Sequence, residues 1–188
     1  MKKRVDDIQS LLSGCRHGDR RAQHELFQRF GPRMLGVCRR YCANSDDARD
    51  ALQEGFIKVY ATLEKYRGES AFETWLTRIF INTAIDFFKK KNKISQTELP
   101  LHDEFGTTIS DDADSADDIF PCSPEAALQA LDQLPQGYRL VFNLYALEQY
   151  THKEIALMLG ISEGTSKSQY ARARRFLQNI LSPKKITS

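Results

Sequence analysis

The chain has 188 residues, with 27 Lys and Arg against 25 Asp and Glu, a formal net charge of +2. This length allows one or two small domains, each with a modest core of its own. No apolar run approaches the roughly 20 residues that a membrane helix needs, and the start, MKKRVDDIQ, lacks the apolar stretch of a secretion signal. We therefore expect a cytoplasmic, mostly helical protein with no segment inserted in a membrane.

The charges are distributed unevenly along the chain. No Lys or Arg occurs between Ile94 and Tyr138, where ten of the 25 acidic residues lie; the other residues carry all 27 basic residues and 15 acidic ones. Within the acidic stretch, residues 107–120 have few large apolar side chains and no helical period. Residues 94–122 are therefore predicted to be a flexible acidic linker between two domains, residues 5–93 and 123–182.

The first domain is expected to be a bundle of helices. Apolar residues recur at helical spacing from Ala22 to Tyr41, although Gly31-Pro32 predicts an interruption there. The segment Asn44-Ser45-Asp46 is a plausible cap for a second helix over 47–63. A third strong helical pattern covers residues 72–91.

Each of the last two helices has an apolar face and a polar face. In the helix over 47–63 the expected buried residues are Leu52, Phe56, Val59, Tyr60 and Leu63. Its polar face carries Asp47, Asp50, Gln53, Glu54 and Lys58. In the third helix Leu76, Ile79, Phe80, Thr83 and Phe87 are expected to face inward, and Arg78, Asn82 and Asp86 recur every fourth residue on the polar side.

Lysines cluster at the end of the third predicted helix, four of them within Lys89 to Lys93. Basic residues at a helix C-terminus complement the helix dipole. Four lysines exceed that need and border a surface rich in aromatic residues, so contact with nucleic-acid phosphates is the favoured interpretation.

For two other groups a structural role is favoured over a functional one. Trp75 is either a core anchor or a platform on which a base stacks, and we prefer the core role. Cys38 and Cys42 lie one helical turn apart and could bind a metal with His17 or His24. Because the four cysteines show no CxxC spacing, small buried side chains are the preferred interpretation, without a metal.

The segment from Tyr150 to Leu177 is predicted to form a helix-turn-helix. Thr151 and Glu154 match a capping box, Gly160 suits a left-handed helix end, and Ser162 can cap a second helix. That second helix is polar at its start and basic along its length, as a reader of the DNA major groove requires. An ordinary surface hairpin with a solvated basic face is the alternative, but the caps, the turn and the basic helix coincide at the expected spacing.

Two further helices are predicted before this motif. Ser123-Pro124-Glu125 combines an N-cap, a first-turn proline and a first-turn acid, so a helix begins there, and Leu134-Pro135 ends it. A helix over 136–147 should then support the reading unit. Its expected buried residues are Leu140, Val141, Leu144 and Leu147.

Three segments together resemble a known family: DARDALQEGFIKVY (Asp47 to Tyr60), RGESAFETWLTRIFINTAIDFFKKK (Arg67 to Lys91) and LGISEGTSKSQYARARR (Leu159 to Arg175). They are similar to bacterial sigma factors of the small extracytoplasmic-function class, which keeps only regions 2 and 4. The resemblance implies an all-α protein with region 2 over 5–93 and region 4 over 123–182. The chain departs from the family pattern at Arg49 and Gly55, and in the reading helix at Ser166 and Gln169, which bear on the promoter sequence that is read.

The resemblance implies three binding surfaces. Asp47, Asp50, Gln53 and Glu54 would bind core RNA polymerase; this face is expected to lack the alternating-sign pairs that stabilise an exposed helix. The −10 element would be bound by Arg67, Ser70, Phe72, Arg78, Asn82, Asp86, Lys89 and Lys90. The −35 element would be bound by Lys153, Glu163, Thr165, Lys167, Ser168, Arg172 and Arg174.

Single residues have more specific expected roles. The −10 reader would capture a base flipped from the non-template strand, for which the Asn82 amide suits base-edge hydrogen bonding. Asp86 would read an exocyclic amine or hold a neighbouring Arg in place. The chain has no GxxxxGK[ST] loop for ATP, and no catalytic residue, metal or cofactor is expected.

The expected partners are also implied by the resemblance. They are core RNA polymerase, through its clamp coiled coil and flap, promoter DNA, and an anti-sigma factor that is membrane-bound in many members of the class. The acidic linker would pass through the RNA path of the polymerase and imitate the nascent transcript.

Two other classes of protein compete with this interpretation. A helix-turn-helix repressor or response-regulator output domain would explain residues 150–177 but not the helices over 47–91, and it would need a dimer to read two half-sites. A DNA-processing enzyme such as a resolvase would need a nucleophile with clustered activating groups, and no such set is evident. Run-off transcription with core polymerase separates a sigma factor, which starts RNA, from a repressor or a nuclease, which gives none.

Overall fold

The computed structural model describes residues 2–91 and 123–181. The chain divides into two units, Met1–Lys93 and Ile94–Ser188. The first unit contains α1 (Lys2–Arg16), α2 (Arg20–Tyr41), α3 (Ser45–Thr62), a 3₁₀ turn (Leu63–Lys65) and α4 (Phe72–Lys91). The second contains α5 (Pro124–Asp132), α6 (Gln136–Phe142), a π-helical turn (Asn143–Leu147), α7 (His152–Leu159) and α8 (Glu163–Leu181).

Every regular element of the described ranges is helical, which confirms the all-α prediction. Within those ranges no helix is both long enough and apolar enough to cross a membrane. The predicted linker over 94–122 lies outside the described residues, as do Asn92, Lys93 and Ser182.

α2 runs without a break through Pro32, so the interruption predicted at Gly31-Pro32 is wrong. A proline in a helix interior removes one backbone hydrogen bond and costs about 3 kcal/mol in an isolated helix. Here Phe30, Met34 and Val37 are buried on both sides of it. Burial of each such side chain contributes about 1.5–3 kcal/mol, which is enough to outweigh the cost of the proline.

The predicted cap of α3 is confirmed. Asn44 Oδ1 accepts the backbone N–H groups of Asp46 at 3.0 Å and of Asp47 at 2.8 Å. Two of the four N–H groups that a helix leaves unsatisfied at its start are thereby bonded. Of the residues predicted to face inward here, Leu52, Phe56 and Val59 of α3 and Leu63 of the 3₁₀ turn are buried, and Tyr60 is half-buried.

The buried residues of α4 cover two faces of the helix, not the single apolar stripe that the sequence predicted. Leu76, Phe80 and Thr83 are buried as predicted, whereas Ile79 and Phe87 are half-buried. Five further residues of α4 are buried outside the predicted stripe: Phe72, Ile81, Ala84, Ile85 and Phe88. They are buried because α4 packs against both α2 and α3, so two faces of the same helix are covered.

In the second unit, the predicted start of α5 is confirmed, since Ser123 Oγ accepts the Ala126 N–H at 3.2 Å. Leu140, Val141 and Leu144 are buried as predicted, but Leu147 is 44% exposed, so its predicted burial is wrong. The π-helical turn explains the error: the Glu148 N–H bonds to Asn143 O, five residues back, at 3.1 Å. One extra residue in a turn rotates the next residues of the helix by about 100° and takes Leu147 off the buried stripe.

The local signals predicted for the helix-turn-helix are confirmed. Thr151 and Glu154 form a reciprocal capping box at the start of α7. Gly160 ends α7 in the left-handed region with φ 72°, where a Cβ would be strained. Ser162 Oγ accepts the Thr165 N–H at 2.9 Å and so caps α8. These contacts set the turn that places α8 across α7.

Candidate nucleic-acid and protein interfaces

On the polar face of α3, the residues in the middle of the helix are exposed, whereas the residue in the first turn is held by a hydrogen bond. Asp50 and Gln53 are exposed. Asp47 is half-buried, and its carboxylate accepts a hydrogen bond from the Asn44 side-chain amide at 2.9 Å. A carboxylate near a helix N-terminus is stabilised by the helix dipole. The two exposed residues are therefore the free part of the predicted polymerase surface.

Glu54, predicted with them, belongs to an ionic cluster between two helices. Lys58 Nζ lies 3.1 Å from Glu54 Oε1 and 3.2 Å from Asp86 Oδ2 on α4. Lys90 Nζ lies 3.9 Å from the same Glu54 oxygen. Burial lowers the pKa of the Lys58 ammonium, but its hydrogen bonds to the two carboxylates outweigh that effect and raise the pKa above its ordinary value.

This cluster corrects two statements made from the sequence. The α3 face does contain opposite-sign pairs, Glu54 with Lys58 and Arg49 with Asp46 at 2.9 Å, so it resembles an ordinary stabilised helix surface more than was expected. The cation held by Asp86 is Lys58, not an arginine. Glu54 and Asp86 thus link the predicted polymerase surface to the predicted −10 surface.

The outer face of α4 presents the spacing that the sequence predicted. Arg78, Asn82 and Asp86 are exposed at intervals of four residues. Lys90 is exposed near the helix end, with its Nζ 5.8 Å from the centre of the Phe87 ring. Lys89 is half-buried. The face therefore combines a base-competent amide with cations, which is the arrangement that contact with a nucleic-acid strand requires.

A cavity of about 690 Å³ opens where the loop between the 3₁₀ turn and α4 meets the first turns of α4. Its lining residues are Glu64, Lys65, Tyr66, Arg67, Glu69, Ser70, Trp75 and Arg78. Aromatic, cationic and hydrogen-bonding groups thus converge on one concave surface, as sites for small planar groups do. Of the residues predicted for the −10 element, Arg67, Ser70 and Arg78 are brought together here.

Two aromatic rings, Tyr66 and Trp75, line this cavity, and a third, Phe72, packs behind them. Tyr66 lies 5.3 Å from the Phe72 ring and 5.3 Å from the Trp75 ring, measured between centroids. Phe72 is buried and packs edge-on against Phe30 at 5.4 Å, so its side chain supports the wall from behind. Trp75 is half-buried and lines the cavity. One part of its ring therefore packs against neighbouring side chains, as a core anchor does, and another part is open to the cavity, as a stacking platform would be. Tyr66 was not among the residues that the sequence suggested for this surface. Its place directly before Arg67-Gly68, in a loop with a cation, could have indicated it.

In α8, the two residues that differ from the family pattern face inward. Ser166 is fully buried and Gln169 is 1% exposed. Ser166 Oγ lies 2.9 Å from Nδ1 of His152, whose ring stacks on Tyr145 at 4.3 Å. These positions therefore contribute to the packing of α7 and α8, and their bearing on the promoter sequence that is read stays a prediction.

The residues predicted to bind the −35 element divide between two flanks of α8. Glu163, Lys167 and Arg174 lie on one flank, with Lys167 Nζ 3.0 Å from Glu163 Oε1. The ammonium of Lys167 lowers the pKa of the Glu163 carboxyl. Ser168 and Arg172 lie on the other flank, one turn apart.

The remaining members of this set are engaged locally or exposed nearby. Thr165 Oγ1 lies 2.8 Å from Ser162 Oγ at the cap, and Ser168 Oγ donates to Thr165 O at 3.0 Å. Lys153 is exposed in the first turn of α7. α8 thus has polar residues in its first turns and cations further along. A second helix of this kind is typical of helix-turn-helix proteins that bind the DNA major groove.

The cysteines and histidines considered as metal ligands are not clustered in the described residues. Cys38 and Cys42 are buried at 0% and 5% exposure, whereas His17 and His24 are exposed. His17 Nδ1 lies 2.8 Å from Ser13 O, and His24 Nε2 lies 2.9 Å from the Gln28 amide. Within residues 2–91 and 123–181, no group of three or more His, Cys, Asp or Glu side chains could hold a metal ion.

Comparison with protein families finds two matches along the chain. The family described as Sigma-70 region 2 matches residues 26–94, and the family described as Sigma-70, region 4 matches residues 125–177. The two matched segments together cover more than half of the chain. The first lies in the first unit except for its last residue, and the second lies in the second unit.

Individual proteins are similar over nearly the whole length. The ECF RNA polymerase sigma-E factor of Haemophilus influenzae is 30% identical, covering 93% of this chain and 95% of that protein. The RNA polymerase sigma-H factor of Pseudomonas aeruginosa is 31% identical, covering 93% and 94%. A solved structure of the sigma factor RpoE in complex with the anti-sigma factor NepR, from Bartonella quintana, matches with a TM-score of 0.50, at 22% identity, over 86% of this chain and 98% of that one. At that identity the structural likeness concerns the fold.

Proposed function

The chain belongs to the sigma-70 family, in the extracytoplasmic-function class of RNA polymerase sigma factors, and from this membership we propose how its surfaces act. It is an alternative sigma factor, which binds core RNA polymerase and directs it to promoters with −35 and −10 elements. The first unit binds the polymerase and opens the −10 region, and the second unit binds the −35 element.

The polymerase-binding surface is the exposed polar face of α3. Asp50 and Gln53 make the direct contacts, since they are exposed and not engaged by Lys58. Asp47 extends the surface toward the helix N-terminus. Glu54 contributes from the edge of the face, where its charge is shared with Lys58 and Lys90. Charge complementarity of this kind mainly sets the partner and the association rate.

Opening of the −10 element uses the cavity beside α4. A base that leaves the duplex enters the space bounded by Tyr66 and Trp75, while Asn82 contacts a neighbouring base edge. Stacking a base on an aromatic ring is worth about 1–3 kcal/mol, comparable with the few kcal/mol that flipping the base costs. Arg67, Arg78 and Lys90 add contacts to phosphates along the opened strand.

DNA opening in this scheme is an equilibrium shift and needs no hydrolysis. The protein binds the opened strand and has little affinity for the same bases within a duplex. Differential binding of this kind moves the population toward the open state, by an amount set by the affinity difference. No catalytic residue has a part in this scheme.

The −35 element is bound by α8 in the major groove. Lys167 and Ser168 lie in the first turns after the Ser162 cap, where a recognition helix approaches base edges. Arg174 lies two turns further on and, with Lys153 of α7, suits contact with the DNA backbone. Base contacts then supply sequence discrimination, and backbone contacts supply position and affinity.

An anti-sigma factor and the polymerase flap are further proposed partners. One solved structure with a similar fold is a sigma factor in complex with an anti-sigma factor. An inhibitor that covers the α3 face or α8 would block polymerase or promoter binding directly. The segment 94–122, with its excess of acidic residues, would occupy the RNA path of the polymerase until the transcript displaces it.

The observation that carries the proposal is the presence of the α3–α4 pair beside the cavity in the same chain as a helix-turn-helix. A repressor or response-regulator output domain needs the second unit alone, and the first unit would have no role in it. A resolvase needs a nucleophile, and the cavity is lined by no cysteine and by one serine, Ser70, with no histidine beside it.

The test is transcription from a library of randomised promoters by core polymerase, with and without the purified chain. We expect RNA only when the chain is present, and sequencing of the RNA 5′ ends should reveal one −10 motif and one −35 motif at fixed spacing. Transcript levels equal to those of core polymerase alone would refute sigma activity. The Asp50→Lys chain serves as a control, because it should remove transcription without altering the helices that read DNA.

A further inference from the structure

We propose that Arg16, at the end of α1, is a positioning residue that holds the base-capture loop in its binding shape. This inference rests on the proposed function, and it adds a residue that lies before the segment matched by the region 2 family, residues 26–94. The loop is the stretch from Tyr66 to Ala71, between the 3₁₀ turn and α4.

Arg16 reaches the base of this loop across 50 residues of sequence. Its Nη2 donates to the backbone carbonyl of Tyr66 at 3.1 Å, and its Nε donates to the carbonyl of Leu63 at 3.4 Å. The Tyr66 carbonyl follows the last residue of the 3₁₀ turn, where a helix leaves carbonyl groups without partners inside the helix. The Leu63 carbonyl begins the turn and also accepts the Tyr66 N–H at 3.2 Å, so Arg16 bonds to both ends of the turn. The planar guanidinium has donors in a fixed fork, so one side chain can bond two carbonyls at once.

The direction of Arg16 is itself set by local structure. α1 ends at Arg16, and Gly18 follows in the left-handed region with φ 75°. The Asp19 N–H bonds back to Gly14 O at 3.0 Å and the Gly18 N–H to Cys15 O at 3.1 Å, which closes the helix end. The Arg16 side chain therefore projects from a rigid corner and not from a frayed terminus.

The Tyr66 carbonyl is one of four points at which that residue is held, and its backbone N–H, bonded to Leu63 O at 3.2 Å, is another. Its ring packs on Phe72 and Trp75, each at a centroid distance of 5.3 Å. Its hydroxyl donates to Ser70 O at 2.7 Å, which closes the loop on itself. Arg16 holds the backbone at one end of this arrangement, and the aromatic rings hold the side chain at the other.

The position of Tyr66 decides the shape of the cavity, because Tyr66 forms part of its wall. A loop already held in its bound shape loses less conformational entropy when a base enters. Without Arg16 the loop residues would have to be ordered at the moment of capture. Weaker capture of the flipped base is the expected consequence, whereas polymerase binding through α3 should be unaffected.

The experiment uses holoenzyme assembled from core polymerase and the full chain, in wild-type form or with Arg16→Ala, Arg16→Lys or Arg39→Ala. Arg39 is the matched control, since it is also an exposed arginine in the last turn of a helix of the first unit. Arg39→Ala removes a favourable interaction with the dipole of α2, just as Arg16→Ala removes one with the dipole of α1. Open-complex formation is measured on a promoter selected by the library, with an abasic site placed at each −10 position of the non-template strand in turn.

We expect Arg16→Ala to lower the open-complex equilibrium constant about three- to tenfold on intact DNA, as loss of preorganisation would. On the template whose captured base is missing, Arg16→Ala and wild type should be equal, because there is no base left to capture. Arg16→Lys, which offers a single ammonium to one carbonyl, should recover part of the loss. Affinity for core polymerase should match that of Arg39→Ala, whereas the unfolding midpoint should fall slightly below it, because two hydrogen bonds to the loop are lost.

Each other outcome has a definite meaning. If wild-type holoenzyme is insensitive to an abasic site at every −10 position, base capture itself fails, and this inference with it. If wild type is sensitive but Arg16→Ala behaves like Arg39→Ala, only the role of Arg16 is overturned. A deficit of Arg16→Ala that persists unchanged on the abasic template would also overturn it, since a general loss of structure would then explain the effect.

Discussion

Lys58 of α3 and Asp86 of α4 form an ion pair of 3.2 Å between the two helices that carry the proposed polymerase and −10 surfaces. The same ammonium lies 3.1 Å from Glu54. Lys58 is 37% exposed and the carboxylates are 32% and 51% exposed, so the cluster adds no more than about 1 kcal/mol to stability. Its consequence is that Glu54 and Asp86 cannot be altered independently of each other, whereas Asp50 can.

The first prediction separates Asp50 from Glu54. Asp50→Lys should abolish co-purification with core polymerase and leave the unfolding midpoint unchanged, because Asp50 is exposed and outside the cluster. Glu54→Lys should also abolish it, but it should lower the stability of the first unit, since a third ammonium would then lie beside Lys58 and Lys90. Pull-down of core polymerase and urea unfolding followed by the fluorescence of Trp75 measure the two effects. Retained polymerase binding by both variants would mean that the α3 face is not the docking surface.

The second prediction concerns Asn82. Asn82→Ala should leave closed-complex formation nearly intact but lower the permanganate reactivity of thymines in the −10 bubble. Asn82 is exposed between Arg78 and Asp86, so its removal should change stability by less than about 0.5 kcal/mol. A premelted template should restore transcription at least in part. If it does not, the amide has no role in melting.

The third prediction tests the division of labour along α8. Lys167→Ala should reduce the affinity ratio between the true −35 element and a scrambled one by the equivalent of about 1–3 kcal/mol, as loss of a base contact does. Arg174→Ala should keep that ratio and reduce the slope of binding against salt by about one unit, as loss of a phosphate contact does. Fluorescence anisotropy of holoenzyme on labelled DNA, at several salt concentrations, measures both. Identical behaviour of the two variants would contradict the placement of α8 in the groove.

The fourth prediction concerns Gly55, whose place in α3 faces the Phe80 ring of α4. A Cβ at this position would lie 2.6 Å from Cδ1 and 2.9 Å from Cζ of Phe80, whose ring is fully buried. Gly55→Ala should therefore destabilise the first unit by about 1–3 kcal/mol, and Phe80→Leu in the same chain should recover part of this loss.

Gly36→Ala is the control for Gly55. Gly36 lies inside α2 with nothing within 4 Å of its added Cβ, so alanine should stabilise that helix by up to about 1 kcal/mol. Urea unfolding followed by Trp75 fluorescence should show a lower free energy of unfolding for Gly55→Ala and a higher one for Gly36→Ala. The same sign for both would contradict the packing of Phe80 against Gly55.

The fifth prediction is a loss of stability at alkaline pH. Burial raises the pKa of the Cys38 thiol from 9.0 to about 12, and burial also raises the pKa of the Tyr60 phenol from 10.0 to about 12. Because the unfolded chain releases these protons first, the contribution of the two groups to stability is fully present below about pH 9 and declines between about pH 9 and 12. Urea unfolding from about pH 8 to 11 should show this decline.

Tyr60→Phe should make the decline shallower above about pH 10, because one of the two groups no longer ionises. At about pH 7 the same variant should lose about 1 kcal/mol, since the Tyr60 hydroxyl donates to Gln23 O at 2.8 Å. An unchanged slope above the ordinary pKa of a tyrosine would show that Tyr60 does not remain neutral in the folded protein.

The sequence by itself determined the helical class, most helix starts and the helix-turn-helix. These features depend on signals within four consecutive residues, such as the Thr151–Glu154 capping box, the Asn44 cap and the left-handed Gly160. A hydrogen bond from a side chain to the adjacent backbone forms in the same way whatever the rest of the chain does, so such signals can be recognised without knowledge of tertiary packing.

Only the tertiary structure decided which faces are covered and which distant residues meet. Pro32 stays inside α2 because its neighbours are buried against other helices, and Gln169 faces inward because α7 and α6 pack on α8. The contact of Arg16 with Tyr66 joins residues 50 positions apart. No local pattern encodes such contacts, since their free energy arises only when separate helices are brought together and desolvated.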